Sequence, residues 1–180
     1  ATDVLPSAIR DASYQKAADL YQQVIDDFPK QADDASIRYQ LSRALALEGK
    51  TEASLQQLDQ LTEVHETSPE MLEVQFRRGE AYFLRKNFSK AADAYQRVLE
   101  AGDNNDFYNK ALYKHGWSLF KLVDYERALD DFFPLLERLE SEAGMTDDLK
   151  VVASELVKDT YRAISLSFYH LSGAESVENY

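Results

Sequence analysis

Residues 113–132 read YKHGWSLFKLVDYERALDDF, and 37 positions earlier residues 76–95 read FRRGEAYFLRKNFSKAADAY. Both stretches run through the same order of residue types. The first half is Phe76…Gly79…Tyr82 or Tyr113…Gly116…Leu119, and the second is Phe88-Ala91-Tyr95 or Tyr125-Ala128-Phe132. Weaker copies keep the register upstream, as Tyr39…Ser42…Leu45, Thr51-Ser54-Leu58 and Tyr14-Ala17-Tyr21. The second phrase therefore starts at 14, 51, 88 and 125, in equal steps of 37 residues. A period of that length marks stacked supersecondary units, each burying its apolar face only against its neighbours.

Each unit carries two stretches with apolar residues at helical spacing. First helices are expected over 35–48, 72–86 and 109–122, and second helices over 14–28, 51–66, 88–103 and 124–142. Breaks fall at Glu48-Gly49-Lys50 and Arg85-Lys86-Asn87, and Asp124 is placed to cap the helix that follows it. Between units the stops are Pro29, Pro69 and the run Gly102-Asp103-Asn104-Asn105. The approximate units are 1–34 (partial), 35–71, 72–108, 109–145 and 146–180 (divergent or partial). In the last, Asp147–Leu171 reads as one long first helix or as two broken near Ala153-Ser154. Gly173 would stop it, and residues 175–180 would begin another. An array that starts and ends within a unit is expected to be part of a longer one.

Gly79 and Gly116 fall in mid-helix, where glycine costs about 1 kcal/mol relative to alanine. That predicts a helix crossing too close for a side chain, with Ala17, Ser54, Ala91 and Ala128 as the reciprocal contacts. Tyr82, Tyr95 and Phe132 then read as packing between helices.

Little in the chain suggests chemistry. Its 180 residues, 44% of them hydrophobic, include no cysteine, which removes disulfides and thiolate sites. His65, His115 and His170 share no metal-ligand spacing with one another, and neither a phosphate loop nor a nucleophile elbow occurs. Acidic pairs such as Asp26-Asp27, Asp33-Asp34, Asp130-Asp131 and Asp147-Asp148 read as solvated helix faces or ends. His115, beside Gly116, reads as packed or exposed. The expectation is of no enzyme active site, no cofactor, no metal and no small-molecule substrate. No apolar run approaches the roughly 20 residues that span a bilayer, and the first residues lack the pattern of a signal peptide. The net charge of −12 argues against nucleic acid as the main partner.

The segments 78–95 and 115–129 resemble the tetratricopeptide repeat, and Pro29 matches the proline near the end of a unit. The resemblance covers most of residues 13–140. It departs from the family in its period, 37 residues against 34, and in the first unit, where Ser42, Thr51, Ser54 and Leu58 replace the usual types. It implies an all-α fold, a right-handed superhelical solenoid of stacked antiparallel helix pairs, acting as a non-catalytic protein-interaction scaffold. Residues 159–168 also resemble segments of large bacterial cell-envelope proteins with such repeats, which implies a periplasmic or envelope setting, with the cytoplasm as the alternative.

The charges sort by helix class. First helices hold nine basic and three acidic residues, second helices five basic and seventeen acidic. In this family first helices line the concave groove, so the resemblance implies a basic inner face and an acidic back. The implied groove residues are Tyr39, Arg43, Phe76, Arg77, Glu80, Lys110, Tyr113, Lys114, Trp117, Phe120 and Lys121. Rings interleaved with cations suit an extended peptide with acidic and apolar side chains. The asparagines of the family's carboxylate clamp are missing from these positions. Two readings remain open for the groove, a docking face or rings packed on the next unit beside solvated cations. The alternative function is a structural or self-assembling spacer within a long envelope protein.

Overall fold

The computed structural model describes residues 7–28, 35–64, 70–142 and 147–171. Among them the fold is all-helical, with eight helices: α1 (Ser7–Asp27), α2 (Ala35–Leu47), α3 (Thr51–Val64), α4 (Glu70–Leu84), α5 (Phe88–Glu100), α6 (Tyr108–Lys121), α7 (Tyr125–Glu142) and α8 (Asp147–His170). The helices follow the expected pairs closely. One expectation changes, and one open alternative is decided. Helix α1 begins at Ser7 rather than near Tyr14, because no glycine or proline lies between those residues to stop it. Helix α8 is one long helix, continuous through Ala153-Ser154, as the first of the two readings has it, since the segment contains neither glycine nor proline to break it. Pro29, Pro69, His65, Asp33-Asp34, Gly173 and residues 175–180 lie outside the described residues.

The chain divides into two compact units, 1–81 and 82–180. In the first, Ala18, Leu41 and Ala44 form a cluster with Ala17, Tyr21, Ile25 and Leu45, which joins α1 to α2. Leu58, Leu61, Met71 and Val74 form another, with Ala35 and Tyr39 against it. In the second unit, Leu119, Ala128, Leu129, Phe132 and Leu136 meet Ala92, Ala163 and Ile164. Leu112, Leu135 and Leu139 extend this core with Leu99, Tyr108, Tyr113, Leu156 and Val157.

The turn from first to second helix has one geometry, repeated with the sequence period. Gly49, Lys86 and Val123 each take a left-handed backbone, with φ of 79°, 59° and 67°. After each, the next residue's amide reaches back to a carbonyl five positions earlier: Lys50 to Leu45 at 2.9 Å, Asn87 to Tyr82 at 2.9 Å and Asp124 to Leu119 at 3.0 Å. The left-handed residues themselves donate to Ala46, Phe83 and Phe120. This paired pattern satisfies carbonyls that the helix end would otherwise leave without donors. The following helix then starts at once, with Asn87 accepting from the Lys90 amide and Asp124 from the Arg127 amide, both at 3.3 Å. Such short turns return the chain alongside itself and make each unit a helix hairpin.

The close crossings are built in two ways. In α6, a Cβ added at Gly116 would lie 2.7 Å from Cε1 of Phe132, a ring with no exposed surface. The partner that requires glycine is therefore the large residue of the second phrase, rather than Ala128 alone. In the α2–α3 pair, Ser42 and Ser54 are both buried, and the Ser54 hydroxyl donates to the Ser42 carbonyl at 2.8 Å. The first repeat, weak by pattern, crosses through a hydrogen bond instead of a glycine.

Candidate functional site

The first helices carry the expected cations, and their surroundings differ between the two units. In the first unit Tyr39 is half-buried against Leu58, Leu61, Met71 and Val74. Burial first, and then the Glu73 carboxylate, push its phenol up to about 12. Phe76 is buried and thus packing rather than a contact surface. Arg43 is exposed, 5.9 Å from the centre of the Tyr39 ring. Arg77 lies 5.9 Å from the Phe76 ring and is gripped on both sides, by Glu80 at 2.9 Å and Glu73 at 3.2 Å. Partial burial works against its charge, but Tyr39, Glu73 and Glu80 outweigh that, so its pKa is raised. Glu80 serves as a partner for that arginine. Two further arginines are held as well: Arg78 by Asp59 at 2.8 Å, and Arg38 by Gln60 at 2.6 Å and Gln57 at 3.1 Å.

In the second unit the residues of α6 separate by direction. Tyr113 and Phe120 turn toward α8. The Tyr113 hydroxyl donates to Asp159, and burial followed by that carboxylate pushes the phenol up to about 12. Phe120 packs edge-on to Tyr125 at 5.1 Å and His170 at 5.9 Å, while Tyr125 and His170 stack flat at 4.7 Å. Trp117 lies among Tyr113, Phe120 and Phe132, at 6.3, 5.2 and 5.9 Å between ring centres.

Lys110, Lys114 and Lys121 lie on the neighbouring stripe of the helix. With Trp117 they occupy positions i, i+4, i+7 and i+11, one stripe of a 3.6-residue helix. Each ammonium rests near a ring: Lys110 at 5.7 Å from Phe107, Lys114 at 5.3 Å from Phe83 and Lys121 at 5.9 Å from Trp117. Such contacts orient a cation without neutralising it. Among the described residues, none of the three meets a carboxylate. Arg162 and Tyr169 of α8 are exposed. The structure thus gathers Lys110, Lys114, Trp117 and Lys121 on one face. It assigns Tyr113 and Phe120 to holding α8.

One pair escaped the sequence reading. Asp131 is not solvated as its pairing with Asp130 suggested. It is 8% exposed and 2.6 Å from Nδ1 of His115, which is 4% exposed, so a buried hydrogen bond ties α6 to α7. Burial pushes the Asp131 carboxyl above its usual range, with His115 pulling against that. The signal lay in the period: Asp131 stands 37 residues after Ala94, which is buried. Asp130, Asp26 and Asp27 are exposed as expected. Among the described residues, no group of His, Asp and Glu has the arrangement to hold a metal ion, and no helix is long and apolar enough to cross a membrane.

Comparison with known proteins agrees with this architecture. A tetratricopeptide-repeat model matches residues 6–63 and 39–106, together more than half of the chain. No curated protein matches the chain in sequence. Among solved structures, the MamA protein superposes with a TM-score of 0.68 at 16% identity, over 94% of this chain and 80% of its own. Kinesin light chain TPR-like repeats of Podosopora anserina give 0.69 at 13% identity, over 94% and 87%. YrrB, a TPR protein with an unusual peptide-binding site, gives 0.56 at 19% identity, over 88% and 87%. Helix hairpins repeating every 37 residues, small residues at their crossings and the matched family model lead to one conclusion: the chain belongs to the tetratricopeptide-repeat family.

Proposed function

We propose that this chain is a protein-interaction scaffold whose second unit docks an acidic peptide segment along α6. Proteins of this family are generally non-catalytic scaffolds for protein or peptide partners, and that much follows from membership. The observation that carries the finer reading is the row of three lysines without carboxylate partners among the described residues, oriented by aromatic rings on one helix stripe. In a chain of net charge −12, leaving three adjacent cations uncompensated favours an anionic visitor. Charge complementarity of this kind accelerates encounter and rejects partners of the wrong sign. The half-buried edge of Trp117 adds flat apolar area to the same stripe.

The test is fluorescence anisotropy with a labelled Asp/Glu-rich peptide, against the parent and the Lys110→Glu, Lys114→Glu, Lys121→Glu triple variant. Binding to the parent should weaken steeply with salt, and the triple variant should lose about 100-fold, roughly an order of magnitude per reversed exposed contact less what screening removes. A triple variant that is folded by circular dichroism and binds as well as the parent overturns the reading.

A further inference from the structure

Helix α7 lies on its own first helix, α6, through a fixed set of positions, and the repeat carries those positions onto α1 and α8. Three steps of 37 residues take 125–139 of α7 onto 14–28 of α1. Helix α8 matches α6 with 158–171 on 109–122. Thr160 and Ser167 are fully buried there, as Ala111 and Ser118 are. The Leu171 amide closes α8 on Ser167 and Phe168, as the Leu122 amide closes α6 on Ser118 and Leu119. In this register Lys158 stands for Asn109, Tyr161 for Leu112 and Ser165 for Gly116.

The faces that pair within the α6–α7 hairpin are open on the other two helices. In α7, Phe132, Leu135 and Leu139 are buried, the first against Gly116 and the others against Leu112. Their counterparts in α1 are Tyr21 and Val24, both half-buried, and Phe28, which is 56% exposed. Leu20, which stands where α7 has the buried Asp131, is 55% exposed. On α8, Tyr161 is 49% exposed where Leu112 is buried, and Ser165 is exposed. The Ser165 hydroxyl donates to the Tyr161 carbonyl at 2.9 Å, so it needs no partner from an arriving helix. Leu20, Phe28 and Tyr161 thus leave in water the apolar area that this repeat buries between the two helices of a hairpin.

Charge agrees at the rim of these faces. In the α6–α7 hairpin the Arg138 guanidinium donates to Asn109 at 2.7 Å. The counterparts are Asp27 on α1 and Lys158 on α8, opposite charges at positions that touch in the hairpin. Both are exposed, and Asp27 accepts from the neutral Gln23 at 3.2 Å.

We infer that copies of this chain join head to tail, with α1 of one copy lying on α8 of the next as α7 lies on α6. The Tyr21 ring then covers Ser165, Val24 and Phe28 pack on Tyr161, and Asp27 pairs with Lys158. The two faces differ, so the contact does not close on itself as a two-fold dimer does, and each copy offers a face to the next. The contact uses none of the α6 lysines and is independent of peptide docking on that helix.

Sedimentation velocity over a concentration series tests this with the parent, Asp27→Lys, Lys158→Asp and an equimolar mixture of the two variants. Circular dichroism checks that each is folded. The parent should grow past twice the monomer mass as concentration rises. Each variant alone sets like charges against each other across the contact, and should need about tenfold more protein to associate. In the mixture, every contact between unlike copies is again of opposite sign, and association should return to the parental range. A parent that stays monomeric, or that stops at a dimer, overturns the inference. So do single variants that associate like the parent, and a mixture that associates no better than its components.

Discussion

The first helices of the two units descend from the same repeated phrase, yet they leave different things open. In the first unit Arg38, Arg77 and Arg78 are each committed to acceptors within the unit, while Arg43 rests over the Tyr39 ring as the α6 lysines rest over theirs. In the second, Lys110, Lys114 and Lys121 rest over rings and keep their charge for whatever approaches. The side chains suit these roles. A guanidinium is a fork that grips two acceptors at fixed angles, as Arg77 does with Glu73 and Glu80, whereas an ammonium is a mobile point charge. Counting basic residues per helix does not distinguish the two cases. What matters is whether a carboxylate lies within reach, and α6 contains none while α4 contributes Glu73 and Glu80.

The contrast extends to the pairs that fasten the helices, and mutations there separate the two units most sharply. The largest effect is expected at His115–Asp131. Asp131→Ala leaves a buried His115 without its hydrogen-bond partner, and should cost about 3 kcal/mol in urea unfolding, the upper end for an orphaned buried polar group. Removal of the partly exposed Arg78–Asp59 pair in the first unit should cost under ~1 kcal/mol. Similar losses at the two sites would show that burial does not set their weight.

Next come the two crossings. Gly116→Ala forces a methyl group against the immobile Phe132 ring and should destabilise by about 1–3 kcal/mol, even though alanine is the better helix former by about 1 kcal/mol. Ser54→Ala removes the hydroxyl donated to Ser42 and should cost about 0.5–1.5 kcal/mol. Thermal melts of both variants decide whether the glycine crossing is the stricter of the two. A stabilised Gly116→Ala would contradict the packing described for α6 and α7.

The smallest effect is alkaline. Tyr113 has its phenol raised from 10.0 to about 12 in the folded chain. A raised value means that the neutral form is the one the fold favours. The stabilisation is thus complete below pH 10 and disappears as pH rises from 10 to 12. Tyr113→Phe should flatten the fall in melting temperature across that window, leaving the share that belongs to Tyr39, which is also pushed up to about 12. An unchanged slope would mean that the Tyr113–Asp159 contact does not hold α8 to α6.

Much of this architecture is legible in the sequence because local and long-range signals coincide. The 37-residue step marks the helices, the turns and even the residue that goes left-handed, since Gly49, Lys86 and Val123 share one register. Gly116 announces a close crossing, although the atom it avoids belongs to Phe132, four residues beyond the small position that the pattern singles out. The candidate site was less legible. Helical spacing places Tyr113, Trp117, Phe120 and the lysines on neighbouring angles, and only the packing of α8 decides that Tyr113 and Phe120 are occupied. Asp131 was misread because its neighbour Asp130 is exposed, and adjacent helix residues point 100° apart. The repeat pattern begins at Tyr14 and so does not mark the start of α1, which runs back to Ser7 through a stretch with no glycine or proline to stop it.

The central claim is that a cation's partners within the chain decide whether it serves recognition. A side-by-side titration of an Asp/Glu-rich peptide against Arg77→Glu and Lys114→Glu tests it most directly, since both reverse a first-helix charge that lies near an aromatic ring. Lys114→Glu should weaken binding about tenfold, the direction expected for an uncompensated contact, and Arg77→Glu should stay within about threefold of the parent. Equal losses in the two variants, or a larger loss for Arg77→Glu, would contradict it.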